Sequence, residues 1–144
     1  MAEVGRRGRR RRSGETDGGG VVLDASAILV VLYGESGEEE IRRRMGGVRA
    51  LVSPVNLSEV AAKLAEGGFD EREVREAVGV LGLQVHPLDE DAVYLAGMLR
   101  PRTRERGMGV ADRICVAVAR EIGATAITTD GSWEGLEGVE VIAR

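Results

Sequence analysis

Val21-Val22-Leu23-Asp24-Ala25-Ser26-Ala27-Ile28 is the stretch on which the fold turns. An unbroken apolar run, here Val21 to Leu23, suits a strand covered on both faces, because a half-solvated strand would alternate. Asp24 ends the run and can cap a following helix with its side chain. Ala27, Ile28, Val31 and Leu32 then recur at helical spacing. Strand, acid and helix in immediate succession open a parallel α/β unit.

The same grammar repeats along the chain. Ala50-Leu51-Val52 is a second short apolar strand. Pro54 starts a helix with Leu57, Val60, Ala61, Leu64 and Ala65 on one face, and Gly67-Gly68 stops it. Glu38 to Glu40 precede Arg42 to Arg44, a charge order that suits the helix dipole. Val74, Ala77, Val78 and Leu81 mark another helix, and Leu83-Gln84-Val85 a third strand. Asp89 to Arg100 is amphipathic, and Pro101 is expected to close it. Val110 to Ile122 reads as a helix apolar on nearly every side and therefore buried. Ala124 to Thr128 and Val139 to Ile142 supply the last strands. Strands separated by helices predict an α/β fold: a three-layer α/β/α sandwich around a central, mainly parallel sheet. Ligands in such sheets sit at the carboxyl ends of the strands.

Residues 21–144 make one domain of ordinary size. Residues 1–20 read as a tail: Arg, Gly and polar residues cannot bury enough apolar surface to order themselves, so a disordered leader is expected, or an RNA-attracting arm. The tail carries a net +3 and the rest −7. That balance excludes binding to nucleic acid through a broad basic face. Aromatic residues are only 3% of the chain, which leaves few platforms for stacking bases. One cysteine, Cys115, excludes an intramolecular disulfide and a cysteine-built zinc cluster, and it reads as a small core residue. No apolar run reaches membrane-spanning length, and no apolar segment follows the basic N-terminus as in a secretory signal, so a cytoplasmic protein without membrane contact is expected. His86, the only histidine, reads as a strand-end residue, and no phosphate loop ending in Lys-Ser or Lys-Thr is present.

Four acids stand where chemistry is expected. Asp24 and Asp130 each follow a buried strand, although the first can be a helix cap and the second an Asp-Gly turn residue. Glu59 follows Asn56 by three residues, which also fits a capping box at a helix start. Asp112 sits among Val110, Ala111, Ile114, Cys115 and Val116, where an ionised carboxylate is costly unless it is paired or binds a cation. Strand ends and helix starts face one edge in this architecture. Four acids there repel one another unless a hard cation such as Mg²⁺ is shared, and a cation lets an acidic domain hold an anionic substrate.

The segments Val22-Leu23-Asp24-Ala25-Ser26-Ala27, Ser53-Pro54-Val55-Asn56-Leu57-Ser58-Glu59-Val60, Gly109-Val110-Ala111-Asp112-Arg113 and Ile127-Thr128-Thr129-Asp130 together resemble the PIN-domain proteins of the VapC toxin type. No one segment is specific; the ordered set of four is, and it spans residues 21–144. The resemblance implies a Mg²⁺- or Mn²⁺-dependent endoribonuclease. Asp24 and Asp112 would be the innermost metal ligands, and Glu59 and Asp130 would hold outer waters or a second ion. Ser26 and Thr128 would orient the carboxylates. Cleavage would proceed by in-line attack of water on a phosphodiester, leaving a 5′-phosphate and a 3′-hydroxyl. A VapB-type antitoxin and a homodimer are implied as partners. Gly131-Ser132-Trp133 departs from relatives, which often carry a longer or more basic residue after the last acid; this touches substrate contacts, not metal binding. The alternative of another class is a PIN-fold module that binds RNA or a partner without turnover. A DNA nuclease is a third, because the metal chemistry does not itself choose the sugar.

Overall fold

In a computed structural model of the chain, residues 19–144 are described. They form five strands, β1 (Val21–Leu23), β2 (Ala50–Val52), β3 (Gln84–Val85), β4 (Thr125–Thr128) and β5 (Val139–Val141). The helices are α1 (Ala25–Tyr33), α2 (Glu38–Met45), α3 (Pro54–Glu66), α4 (Glu71–Val80), α5 (Glu90–Met98), α6 (Arg100–Thr103) and α7 (Val110–Ile122), with short 3-10 turns at Arg104–Arg106 and Gly131–Trp133. The sheet order is β3-β2-β1-β4-β5, and every pairing is parallel.

Side-chain alternation along the strands divides the core. Val22, Leu51 and Ala126 point to one face and pack with α5, α7 and Trp133. Val21, Leu23, Val52 and Ile127 point to the other, against α1, α2, α3 and α4. This is the expected three-layer sandwich. The central strand β1 is covered on both faces, and its three residues are all buried. Cys115 lies in the first cluster, fully enclosed, with its thiol pushed well above its ordinary pKa by burial.

The expectation of a tail over residues 1–20 lies outside the described residues except at its last two positions. Gly19 and Gly20 are buried at the entrance to β1, where the Gly19 N–H donates to the Gly123 carbonyl. Gly20 has φ +93°, and a Cβ there would meet the Arg49 carbonyl oxygen at 2.2 Å. Glycine is required by both the conformation and the close approach.

Three local expectations are corrected. Pro101 does not close the helix before it. The α5 helix ends at Met98, and Pro101 instead stands in the first turn of α6, where its missing N–H has no helical partner to lose. Asn56 is not the cap of the helix that carries Glu59. Ser53 takes that place, accepting from the Asn56 N–H, with Pro54 as the first helical residue. Finally, α7 is not apolar on every side. Ala111 and Ile114 to Ala119 are buried, but Val110 and Glu121 are exposed, and Asp112, Arg113 and Arg120 are partly so. Its mid-length residues pack against β1 and β4.

Candidate active site

Because all strands run parallel, the residues that follow β1, β2 and β4 emerge at one edge of the sheet. Asp24 follows β1, Ser53 follows β2, and Asp130 lies two residues after β4. The same edge receives the N-termini of α1 and α3, which begin one residue beyond their strands. It also receives the N-terminus of α7, whose other end leads through Gly123 into β4.

Asp24 is the most buried of the four acids, at 4% exposure. One carboxylate oxygen, Oδ1, accepts from the Ala27 N–H at 2.9 Å and the Ser26 hydroxyl at 2.8 Å. The other, Oδ2, accepts from the Thr128 hydroxyl at 2.6 Å. Asp24 is thus the helix cap of α1 and a fixed carboxylate at once. A carboxylate offers about four lone-pair directions, so an acceptor position remains on Oδ2. Burial raises its pKa from 3.8 to about 6, against the lowering effect of these three donors, and Asp112 raises it further. No described cationic side chain pairs with it.

Asp112 is half-buried in the first turn of α7, where its Oδ2 accepts from the Gly109 N–H at 3.1 Å. Its pKa is raised, chiefly by desolvation, with the Gly109 bond acting against and the charge of Asp130 acting with the shift. Asp112 also raises Glu59, whose first cause is again desolvation. Each of the other three acids is therefore close enough to Asp112 for like-charge repulsion to register. Asp130 is exposed at the turn after β4, its Oδ1 holding the Ser132 N–H at 2.9 Å and the Ser132 hydroxyl at 2.8 Å. Thr128 joins the two strand-end acids: its hydroxyl donates to Asp24 and accepts from the Asp130 N–H at 3.0 Å.

The edge thus brings together Asp24, Glu59, Asp112 and Asp130, with Asp112 in the middle. They are not drawn into a finished cage. Among the described residues, no three His, Cys, Asp or Glu side chains are grouped closely enough to hold an ion as they stand. The chemistry of the donor set nonetheless fits a hard divalent cation: carboxylate oxygens only, mutually repelling, and one of them buried without a described positive partner. Zinc or copper would favour imidazole and thiolate, whereas Cys115 is fully enclosed in the core with its thiol kept protonated by burial.

Two supporting residues have a larger part than the sequence indicated. Asn56, fully buried, accepts the Ser53 hydroxyl at 2.6 Å and donates from Nδ2 to both Glu59 and the Ala111 carbonyl, each at 3.3 Å. It ties the Glu59 helix to the turn that carries Asp112. Its sequence signal was the Asn-x-x-Glu spacing to Glu59, which fits a capping box. Arg106 donates to the carbonyls of Ser132 at 3.0 Å and Glu134 at 2.7 Å, and so holds the loop after Asp130. Nothing local in the sequence marks that long-range bond.

Comparison with known proteins identifies the fold. The model of the PIN domain matches residues 21–138. No curated protein matches the chain in sequence. Among solved structures, a toxin–antitoxin complex from Klebsiella pneumoniae is similar with a TM-score of 0.69 and 15% identity, over 84% of this chain and 96% of that one. A sarcin-ricin-loop-cleaving VapC toxin of Mycobacterium tuberculosis follows with a TM-score of 0.68 and 21% identity, over 85% and 99%. A DNA-bound VapBC complex of Salmonella typhimurium gives 0.67 and 20%, over 85% and 96%.

Proposed function

Since the chain belongs to the PIN-domain family, we propose that it is a Mg²⁺- or Mn²⁺-dependent endoribonuclease and the toxin of a toxin–antitoxin pair. The observation that carries this reading is Asp24. Its carboxylate is buried and held by three donors, it is near enough to Asp112 to feel that charge, and no described cation neutralises it. A fold does not maintain such a group for stability, since ionising it at neutral pH costs free energy. A divalent cation at the edge removes that cost.

Asp24 and Asp112 would hold the cation, with Glu59 and Asp130 as outer supports. When bound, the metal supplies Lewis acidity to a phosphate oxygen and makes water a nucleophile near neutral pH. The chain's own part is to orient. Ser26, Ala27 and Thr128 fix the Asp24 carboxylate, the Gly109 N–H fixes Asp112, and Asn56 steers Glu59. The attack of water on the phosphodiester would leave a 5′-phosphate and a 3′-hydroxyl. Similar folds solved as toxin–antitoxin complexes support a small VapB-like antitoxin as partner, and the family resemblance implies a homodimer. Among the described residues, no helix is long and apolar enough to cross a membrane.

The test is cleavage of single-stranded RNA with Mn²⁺ by the wild-type chain, Asp24→Asn and Asp112→Asn, with a matched DNA strand alongside. Wild type should cut RNA, and each variant should retain roughly a hundredth of the rate or less. Mn²⁺ should also raise the melting temperature of wild type and not that of Asp24→Asn, because only the former gains a ligand on folding. Undiminished cleavage by either variant would remove its residue from the site. Wild type without activity but with RNA affinity would leave a binding module.

A further inference from the structure

An acidic domain that acts on RNA needs cations of its own near the site, and the distribution of arginines identifies them. Arg42, Arg43, Arg44, Arg72, Arg75 and Arg144 are each paired with a glutamate. Arg49, Arg106, Arg113 and Arg120 donate to backbone carbonyls. Among the described residues, that leaves Arg100, Arg102 and Arg104 as the arginines without a side-chain hydrogen bond or ion pair. All three are exposed in one short segment, α6 and the 3-10 turn that follows it, where Arg100 and Arg104, four residues apart, share a face and Arg102 flanks them.

The fold carries this segment to the carboxylate edge. The α5 and α7 helices pack antiparallel: Arg113, near the start of α7, donates to the Ala96 carbonyl near the end of α5, while Glu121 at the far end of α7 lies close enough to Asp89 at the start of α5 for the two charges to interact. The chain leaving α5 therefore enters α6 beside the N-terminus of α7, where Asp112 lies. Arg106 then anchors the segment to the loop after Asp130. The basic segment is thus bounded by Asp112 on one side and the Asp130 loop on the other.

We propose that Arg100, Arg102 and Arg104 form a strip that binds the phosphate backbone of single-stranded RNA and leads it across the carboxylate edge. The inference rests on the ribonuclease reading for the identity of the polyanion. Arginine suits the task, since its planar guanidinium bonds phosphate oxygens in pairs and is never deprotonated. Backbone contact also matches the scarcity of aromatic residues for base stacking.

The experiment measures binding apart from cleavage. A fluorescein-labelled 20-nucleotide RNA is titrated with the full chain in EDTA at several salt concentrations, and cleavage is then measured with Mn²⁺. For the triple variant Arg100→Gln, Arg102→Gln, Arg104→Gln, affinity should fall by roughly ten- to a hundred-fold near 0.1 M salt, with a salt slope smaller by about 2. In Mn²⁺ its KM should rise while kcat at saturating RNA holds. The triple Lys variant should keep most of the affinity, since it keeps the charges. The control is Arg42→Gln, Arg43→Gln, Arg44→Gln, which removes the same charge from α2 and should bind as wild type does. Wild-type affinity and slope in the 100/102/104 variant would overturn the strip, even if wild type cleaves RNA. An equal loss in the α2 control would also overturn it, because net charge alone would then explain the effect. If affinity depends on the strip while no RNA is cut, the strip stands and the nuclease reading falls. Absence of wild-type binding would overturn the strip.

Discussion

Asp24 shows how one residue can answer to two demands. As the cap of α1 it satisfies the Ala27 N–H, a structural service that Asn or Ser could perform. As a buried carboxylate it opposes folding at neutral pH. Folding raises its pKa from 3.8 to about 6, so between those values the folded chain binds more protons than the unfolded one. Stability therefore falls as pH rises through that window. A shift of about two units corresponds to about 3 kcal/mol. In EDTA, the stability of Asp24→Asn relative to wild type should grow by about that amount between pH 4 and pH 7.5, read from urea midpoints. A constant difference across the range would mean that Asp24 ionises in the fold as freely as in water. The sequence placed the greater burial cost on Asp112, from its apolar neighbours. The structure reverses the order: Asp112 is half-open in a first turn and bonded to Gly109, while Asp24 is enclosed.

At the scale of elements, the packing of α5 against α7 carries both a benefit and a flaw. It sets the basic segment near the site, and it also brings the acidic start of α5 to the end of α7. There partial desolvation and the nearby carboxylates of Asp89 and Asp91 push Glu121 to about 7. An acid in the last turn of a helix also meets the negative end of its dipole. Glu121 is exposed, so solvent screens much of the repulsion. Its raised pKa means that the repulsion is absent at pH 5 and present at pH 8. Glu121→Gln should therefore raise the melting temperature at pH 8 and leave it unchanged at pH 5. An equal change at both values would point to packing rather than charge. The strands and the longer helices were legible in order from Val21 to Val141, because apolar runs and helical spacing are local signals; α6 and the 3-10 turns, which have neither signal, were not. Asp89-Glu90-Asp91 was read as a helix start, and it is one; that Glu121 would lie against it was not legible, since helix pairing depends on the whole chain.

For the whole molecule, one five-stranded sheet divides two apolar layers, and neither helix layer has a sheet of its own. The two layers should unfold together. Trp133 is the only tryptophan and is completely buried against one face, while the helical circular dichroism signal reports on both faces. Fluorescence and circular dichroism midpoints in urea should coincide, as a two-state transition requires. Separate midpoints would show that the layers are independent.

The sequence by itself determined the fold class and the positions of the four acids relative to strands and helices. Both follow from hydrophobic period and from residues next to one another in the chain. It also carried the charge imbalance that makes a cation attractive. Only the tertiary structure decided which acid is buried, which one feels the charge of the others, and which arginines among the described residues remain unpaired. Burial, like-charge repulsion and ion pairing are set by groups distant in sequence, as the bond from Thr128 to Asp24 and the hold of Arg106 on the Asp130 loop show. The family resemblance named the acids of the candidate site; their unequal environments came from the way the parallel strands bring them to one edge.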